Sequence, residues 1–273
     1  MTRIRSWKRL DSMRLVFMLL ALLIVLFILL PITKTATSSS ATTLWDTLKE
    51  NEVYSSILLT MCAGLLGTSF GILLGVPLAY LLARHDFRGK RLFEGLIDVP
   101  IVIPHSAAGI ALLFVFGRQF FVGKLFGHIG ITFVDTLAGV VIAMMFVSIP
   151  FLIDSARDGF KAVDVRLEKV ARTLGASPWR VFFRVTLPLA WRSIFSGSVM
   201  MWARAVSEFG AVLILAYHVP FFGENPAVAP ILVADRFGSF GLDYARPVAV
   251  LVILISLFVF VGLRTLAFRG EKA

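Results

Sequence analysis

Six stretches of this chain are free, or almost free, of charge and long enough to cross a lipid bilayer. A helix needs about 20 apolar residues to span the hydrocarbon core. Leu15–Ile32, Val53–Ala83, Val99–Gly117 and Thr136–Ile153 carry no Lys, Arg, Asp or Glu, Ser193–Val219 carries only Arg204 and Glu208, and Pro247–Leu263 closes the set. Within lipid, only a helix satisfies every backbone N–H and C=O inside its own segment. The pattern therefore predicts an all-α polytopic membrane protein with six transmembrane helices. Composition points the same way: 58% of the 273 residues are hydrophobic and 16% are charged, more apolar surface than one soluble core can cover.

Basic residues set the orientation, because Lys and Arg concentrate in cytoplasmic segments. With the N-terminus inside, the inner segments hold 20 of them: five in 1–14, four in 84–91, eight in 157–192 and three in 264–272. The outer segments hold six, namely Lys34, Lys49, Arg118, Lys124, Arg236 and Arg246. Both termini are thus expected in the cytoplasm. The net charge of +10 sits between apolar runs and not along one polar face, which argues against a nucleic-acid partner and for membrane lipid. A basic start, the first apolar run and the small-residue stretch Ala36–Ala41 also fit a cleaved signal peptide. The run is long for that role, and the remaining topology is the same either way.

Metal chemistry finds no purchase. Cys62 is alone, and His85, His105, His128 and His218 are scattered without ligand spacing. The second run carries small residues every four positions, Ala63, Gly67, Gly71, Gly75, Ala79 and Ala83. Such a stripe lets another backbone approach closely, either within one subunit or across a dimer seam. Pro77 in the same run is expected to kink it.

The longest segment between runs, Asp154–Arg192, is the most specific. Val163, Leu167, Val170 and Leu174 recur at helical spacing on an otherwise charged stretch. Gly175 is placed to end that helix with a left-handed backbone. Ser177 and Pro178 suit the cap and first position of the next helix, which runs through Trp179, Phe182 and Phe183 toward Pro188. The expected product is a helix–turn–helix elbow with exposed aromatics. Amphipathicity alone also fits a helix lying in the headgroups.

The string EKVARTLGASPWRVFFRVTLPLAWRSI (Glu168–Ile194) resembles the cytoplasmic EAA loop of permeases in type I ABC importers. Gly175 matches the loop's glycine, and Leu187 with Pro188 matches its end. The family's Glu-Ala-Ala start reads Lys169, Val170, Ala171 here, with Glu168 one position earlier. Met201–Ala216 and Pro100–Gly117 are similar to the fifth and third helices of molybdate, tungstate and sulfate permeases, and Ala229–Val250 is most similar to the tungstate/molybdate group. The resemblance implies a type I permease fold in the plasma membrane of a bacterium or archaeon. It implies a homodimer of this chain, two nucleotide-binding subunits and an extracytoplasmic solute-binding protein. Glu168, Ala171, Gly175, Ser177, Pro178, Trp179, Arg180, Phe182, Leu187 and Pro188 would then couple to the ATPase. The implied division is 1–52 (tail, first helix, outer loop), 53–266 (transmembrane domain of five helices, containing the coupling loop 154–192) and 267–273 (cytoplasmic tail). A sulfate or thiosulfate permease is the nearest alternative.

A phosphate cradle is missing. Gly117 and Gly123-Lys124 are spaced by five residues where a P-loop has four, and Leu125 stands where Ser or Thr would hold magnesium. The chain is therefore expected not to be an enzyme and to bind no cofactor, with ATP and Mg used by the partner. Arg204 and Glu208 lie four residues apart on one helix face. Charges at that depth are costly, and two readings stay open, an anion path and a register lock between helices. Pro100 and Pro104 are expected to bend the third run and free backbone groups, as is tolerated where a cavity is lined, and Pro104, His105, Ser106 and Ser207 join the pair as candidate path residues. Proton coupling through Glu208 or His105 would instead make a secondary transporter, and a channel or membrane enzyme would need a filter or catalytic cluster that is not found.

Overall fold

The computed structural model describes residues 12–268; the expected tails before and after lie outside them. Among these residues the chain is helical without a β-strand. α1 (Ser12–Ala36) and the short α2 (Ala41–Lys49) precede the long α3 (Asn51–Arg84). Then come α4 (Lys90–Val102), α5 (His105–Phe116), α6 (Phe121–Gly127) and α7 (Leu137–Ala162). The elbow holds α8 (Val165–Thr173), α9 (Pro178–Val181) and a π-turn (Phe182–Thr186), and runs directly into α10 (Leu187–Val206). α11 (Gly210–Leu215), α12 (Ala229–Phe240) and α13 (Leu242–Phe268) finish the fold.

The centre is a three-helix unit in which α7 packs against both α3 and α10. The small-residue stripe makes this possible. Ala63, Gly67, Gly71, Gly75 and Ala79 are all buried. A Cβ on Gly67 would stand 3.4 Å from the Val141 carbonyl oxygen of α7, and one on Gly71 would strike the Met201 side chain of α10. The stripe is therefore a seam within one subunit. Side chains also donate to remote backbone carbonyls, from Ser155 of α7 to Ser193 of α10 (2.7 Å) and from Ser56 of α3 to Ala227 in the loop before α12 (2.7 Å). α1, by contrast, is exposed from Met13 to Lys34.

Prolines act differently from place to place. Pro77 does not interrupt α3, whose 34 residues extend for about 50 Å, well beyond a roughly 30 Å hydrocarbon core. Pro100 and Pro104 lie one turn apart, so two successive helical bonds lose their donors. There the expected third span breaks: Ile103 is extended, and α4 and α5 meet at 114°. The expected fifth span also differs. Its helix α10 begins at Leu187, stops at Val206, and resumes only briefly as α11. Among the described residues, four helices (α1, α3, α7 and α13) are individually long and apolar enough to cross a membrane, and the bent α4–α5 pair, counted as one span, makes five.

The second short helix was expected to stop at Pro188. Instead the chain stays helical through the π-turn, where Leu187 N–H donates to the Phe182 carbonyl five residues back. One extra residue in the turn reroutes the bonding next to a residue that lacks a donor.

α5 and α11 lie backbone to backbone. A Cβ on Gly109 would fall 2.9 Å from the Ala211 carbonyl oxygen and 3.0 Å from its Cα. Gly109→Ala should therefore cost about 1–3 kcal/mol and lower the unfolding temperature of the solubilised protein. Gly71→Ala meets only the flexible end of Met201 and should be close to neutral in the same melt.

Candidate functional site

The elbow is built by local caps. Asp164 accepts from Arg166 N–H (2.9 Å) and opens α8. Gly175, at φ +85°, closes it. Its N–H donates to the Arg172 carbonyl (3.0 Å) and that of Ala176 to the Ala171 carbonyl (3.1 Å), the paired bonds of a glycine C-cap. Ser177 then accepts from Arg180 N–H (3.3 Å), and Pro178 takes the first helical position of α9. The expectations for Gly175, Ser177 and Pro178 hold, the Asp164 cap is new, and one correction is needed. Val163 is not on the α8 face; it is the buried C-cap of α7.

The outward surface is apolar at the centre and basic at the edge. Leu167, Val170, Leu174, Trp179 and Phe183 are exposed, with Trp179 at 73% and Leu174 at 83%. Arg166, Lys169, Arg172, Arg180 and Arg184 are exposed around them. Trp179 stacks on Phe183 (5.9 Å, 14°). Phe183 meets Phe182, and Phe182 meets Tyr80 of α3 (5.0 Å), which meets the fully buried Phe160 of α7 (5.4 Å). A chain of rings thus runs from the surface into the core.

Two residues expected to offer contact face inward instead. Phe182 packs with Tyr80 and Phe160 because the π-turn rotates it onto α3 and α7. Glu168 is 9% exposed. Its Oε1 accepts from Arg84 Nε (2.8 Å) and Nη2 (2.7 Å) and from the Thr186 hydroxyl (3.0 Å). Arg84 Nη2 also donates to the Val163 carbonyl (3.1 Å). This one carboxylate ties α3, α8 and the π-turn together, and its arginine caps α7. Leu187 packs into the same core, Pro188 is exposed and Ala171 is half-buried.

The second cluster joins residues far apart in sequence. Glu208 is 1% exposed and accepts from Arg204 Nη2 at 2.9 Å. Its other oxygen accepts from Ala211 N–H (2.9 Å) at the start of α11. His105, the first residue of α5, places Nδ1 3.2 Å from Glu208 and Nε2 2.8 Å from Arg204 Nη2. A neutral imidazole protonated on Nδ1 donates to the carboxylate and accepts from the guanidinium. Arg204 Nη1 donates to the Ser207 hydroxyl (3.3 Å). Both helix breaks, after Ile103 and after Val206, therefore meet at one charge cluster. Pro104, Ser106 and Ser207 lie exposed beside it. Spacing foresaw Arg204–Glu208 but not the closing role of His105.

Each buried carboxylate balances an arginine, and removing Glu168 alone leaves Arg84 as a buried cation at a cost of about 3–5 kcal/mol. Glu168→Ala should lower stability by that order and Glu208→Ala by less, because Arg204 is partly exposed to solvent, and Arg84→Met with Glu168→Met, or Arg204→Met with Glu208→Met, should recover most of the loss. Thermal melts of the single and double variants check this; double variants no better than the worse single would refute the pairing.

Residues 71–268 match the family described as binding-protein-dependent transport system inner membrane component. The chain is 48% identical to the molybdate/tungstate transport system permease protein of Pyrococcus furiosus, over 83% of each chain. It is 40% identical to that of Methanocaldococcus jannaschii over 89% of this chain and 92% of the other. With the molybdenum transport system permease protein of Escherichia coli K12 it shares 35% over 76% of this chain and 91% of that one. Among solved structures, a chain of a bacterial ABC transporter that imports alginate superposes with TM-score 0.73, covering 98% of this chain and 100% of the other at 18% identity. The inward-facing methionine transporter follows at TM-score 0.59, 15% identity, and 84% and 98% coverage. The fold is that of type I ABC importer permeases, and the chain belongs to the binding-protein-dependent transport system inner membrane component family.

Proposed function

We propose that this chain is the membrane-spanning permease subunit of an ATP-driven importer for a tetrahedral oxyanion, molybdate or tungstate. One observation carries the mechanism: the exposed face of the elbow is joined to the long helix α3 by the buried pair Arg84–Glu168 at 2.7 Å. Whatever docks on the elbow therefore pulls on a span. The docking partner is a nucleotide-binding subunit whose groove takes an apolar helix face, and the basic edge of the elbow suits an acidic groove margin. ATP and Mg act in that partner, and this chain has no hydrolytic role of its own. The oxyanion assignment is supported by the named activities of the relatives in archaea and Escherichia coli.

In this reading α1, α3, bent α4–α5, α7, α10 with α11, and α13 are six spans. The elbow and both termini face the cytoplasm of a bacterium or archaeon, and the chain divides at 53 and 266 as the sequence implied. Two copies pair around the exposed Pro104, Ser106 and Ser207, so the Arg204 cluster flanks a path between them. Arg204 lowers the barrier for an anion, while Glu208 and His105 keep the guanidinium from holding it. A solute-binding protein delivers the ion from outside, and nucleotide closure shifts the two-state equilibrium of the spans.

Proteoliposomes containing permease, ATPase and binding protein should accumulate labelled tungstate and molybdate in an ATP-dependent manner, with sulfate far behind. Trp179→Ala should lower ATPase affinity roughly thirtyfold, the effect of losing a contact worth about 2 kcal/mol, and uptake with it. Uptake by the permease alone would point to an ion-coupled secondary transporter, and preferential sulfate uptake would replace the oxyanion assignment. Unchanged ATPase binding together with normal uptake would remove the elbow as the coupling element.

A further inference from the structure

At the end of the molecule away from the elbow, a second charged feature stands apart from both sites above. An open cavity of about 360 Å³ lies between the end of α5 and α6, lined by the exposed Arg118, Lys124, His128 and Thr132, the backbones of Gly123 and Gly127 and the rings of Phe116 and Phe133, with no acidic residue. Gly123 is buried, and a Cβ there would strike the Gly117 and Phe116 carbonyls, so α6 sits directly on the end of α5 and forms a wall of the cavity.

The arginine and lysine are uncompensated. Among the described residues, the side chains of Arg118, Lys124 and His128 make no hydrogen bond or ion pair. Elsewhere at the same end, Arg236 is bonded to Glu50 (2.6 Å) and Glu52 (2.8 Å), and Arg246 to Asp243 (2.8 Å). Basic residues beside helix ends ordinarily offset the helix dipole, and α5 ends at Phe116 and α6 at Gly127. Two such ends supply about half a negative charge each, against the two full charges of Arg118 and Lys124. Roughly one positive charge is left over, before any protonation of His128. A concave wall focuses that field, and the Thr132 hydroxyl adds a neutral donor.

We propose that this cavity is an anion site for a tetrahedral oxyanion group. That it faces the outside rests on the topology of the function proposed above. Phe121, Leu125 and Ile129 are exposed on the same stretch, which sets the cavity at the outer edge of the bilayer. The tetrahedral group has two sources there, a free oxyanion near the entry to the path or the phosphate of an anionic lipid headgroup. Either is recognised by a guanidinium, an ammonium and a hydroxyl around one centre.

The test uses the permease–ATPase complex without binding protein, in nanodiscs of phosphatidylcholine alone or with phosphatidylglycerol. Radiolabelled tungstate and inorganic phosphate are the probes for a free oxyanion, and native mass spectrometry counts retained phosphatidylglycerol. Arg118→Gln with Lys124→Gln is compared with wild type and with Lys34→Gln, another exposed cation outside the cavity. A tenfold or greater weakening of saturable tungstate or phosphate binding in phosphatidylcholine, in the double variant only, supports the site with a free-oxyanion source. Loss of retained phosphatidylglycerol, in the double variant only, supports it with a lipid source. Basal ATPase activity and a single elution peak verify that the double variant is folded; if it is not, His128→Ala and Thr132→Val take its place with the same expectation. Equal binding and equal lipid retention in all variants would overturn the proposal. Failure of the full transporter, with its binding protein, to import any oxyanion would count against the transport function and leave this binding measurement standing.

Discussion

A carboxylate taken out of water must be matched, and at Glu168 the match is what joins the elbow to the long helix α3. Two nitrogens of Arg84 and the hydroxyl of Thr186 converge on a single oxygen within 3.0 Å. Breaking such a pair costs more than forming it gains, because the survivor is left charged and dry. The geometry of the elbow relative to α3 is therefore strongly specified even though α8 has only nine residues. The length of α3 serves the same end. It exceeds the bilayer thickness, which carries Tyr80 and Arg84 out to where the elbow can reach them. Around the ion pair, the rings of Tyr80, Phe160 and Phe182 exclude water, which strengthens the electrostatic bond they surround.

The charge cluster at the two helix breaks follows the same logic with a different outcome. Glu208 is more deeply buried than Glu168, yet its arginine keeps a partly exposed side chain beside Ser207. The carboxylate is spent on Ala211 N–H, His105 and Arg204, which locks α5 and α11 as a pair whose backbones already touch at Gly109. Both readings left open by the sequence are thus compatible with one arrangement: a register lock inside, with a cationic edge presented outward. Helix breaks are tolerable here because the freed groups at the start of α11 find a side-chain partner.

Local features were legible in the sequence, and remote ones were not. Gly175, Ser177 and Pro178 announce the elbow because caps depend on residues within one turn of each other. The small-residue stripe announced close packing, but only the fold shows that its partners are α7 and α10 of the same subunit. Glu168 looked like part of a docking face, since its partner Arg84 lies 84 residues away and nothing local marks it. His105 is 99 residues from Arg204 and was hidden for the same reason. Phe182 and Phe183 are neighbours with opposite fates, because the π-turn shifts the helical phase just where Pro188 removes a donor. Proline effects were legible in kind but not in size: Pro100 and Pro104 were expected to bend the third run, and together they turn the chain by 114°, whereas the helix of α3 runs on through the lone Pro77.

The central claim is that the elbow and α3 move as one body. It is tested by spin labels at exposed Leu81 on α3 and Thr173 on α8, in a Cys62→Ser background and in the complete transporter. Their separation is measured by double electron–electron resonance in nucleotide-free and ATP-bound states. The account predicts a distance constant to within about half a helical turn, 2–3 Å, while the same Thr173 label measured against its copy in the second permease of the proposed dimer changes with nucleotide. A shift of a full turn or more, about 5 Å, between Leu81 and Thr173 would show the elbow sliding on α3 and would contradict it.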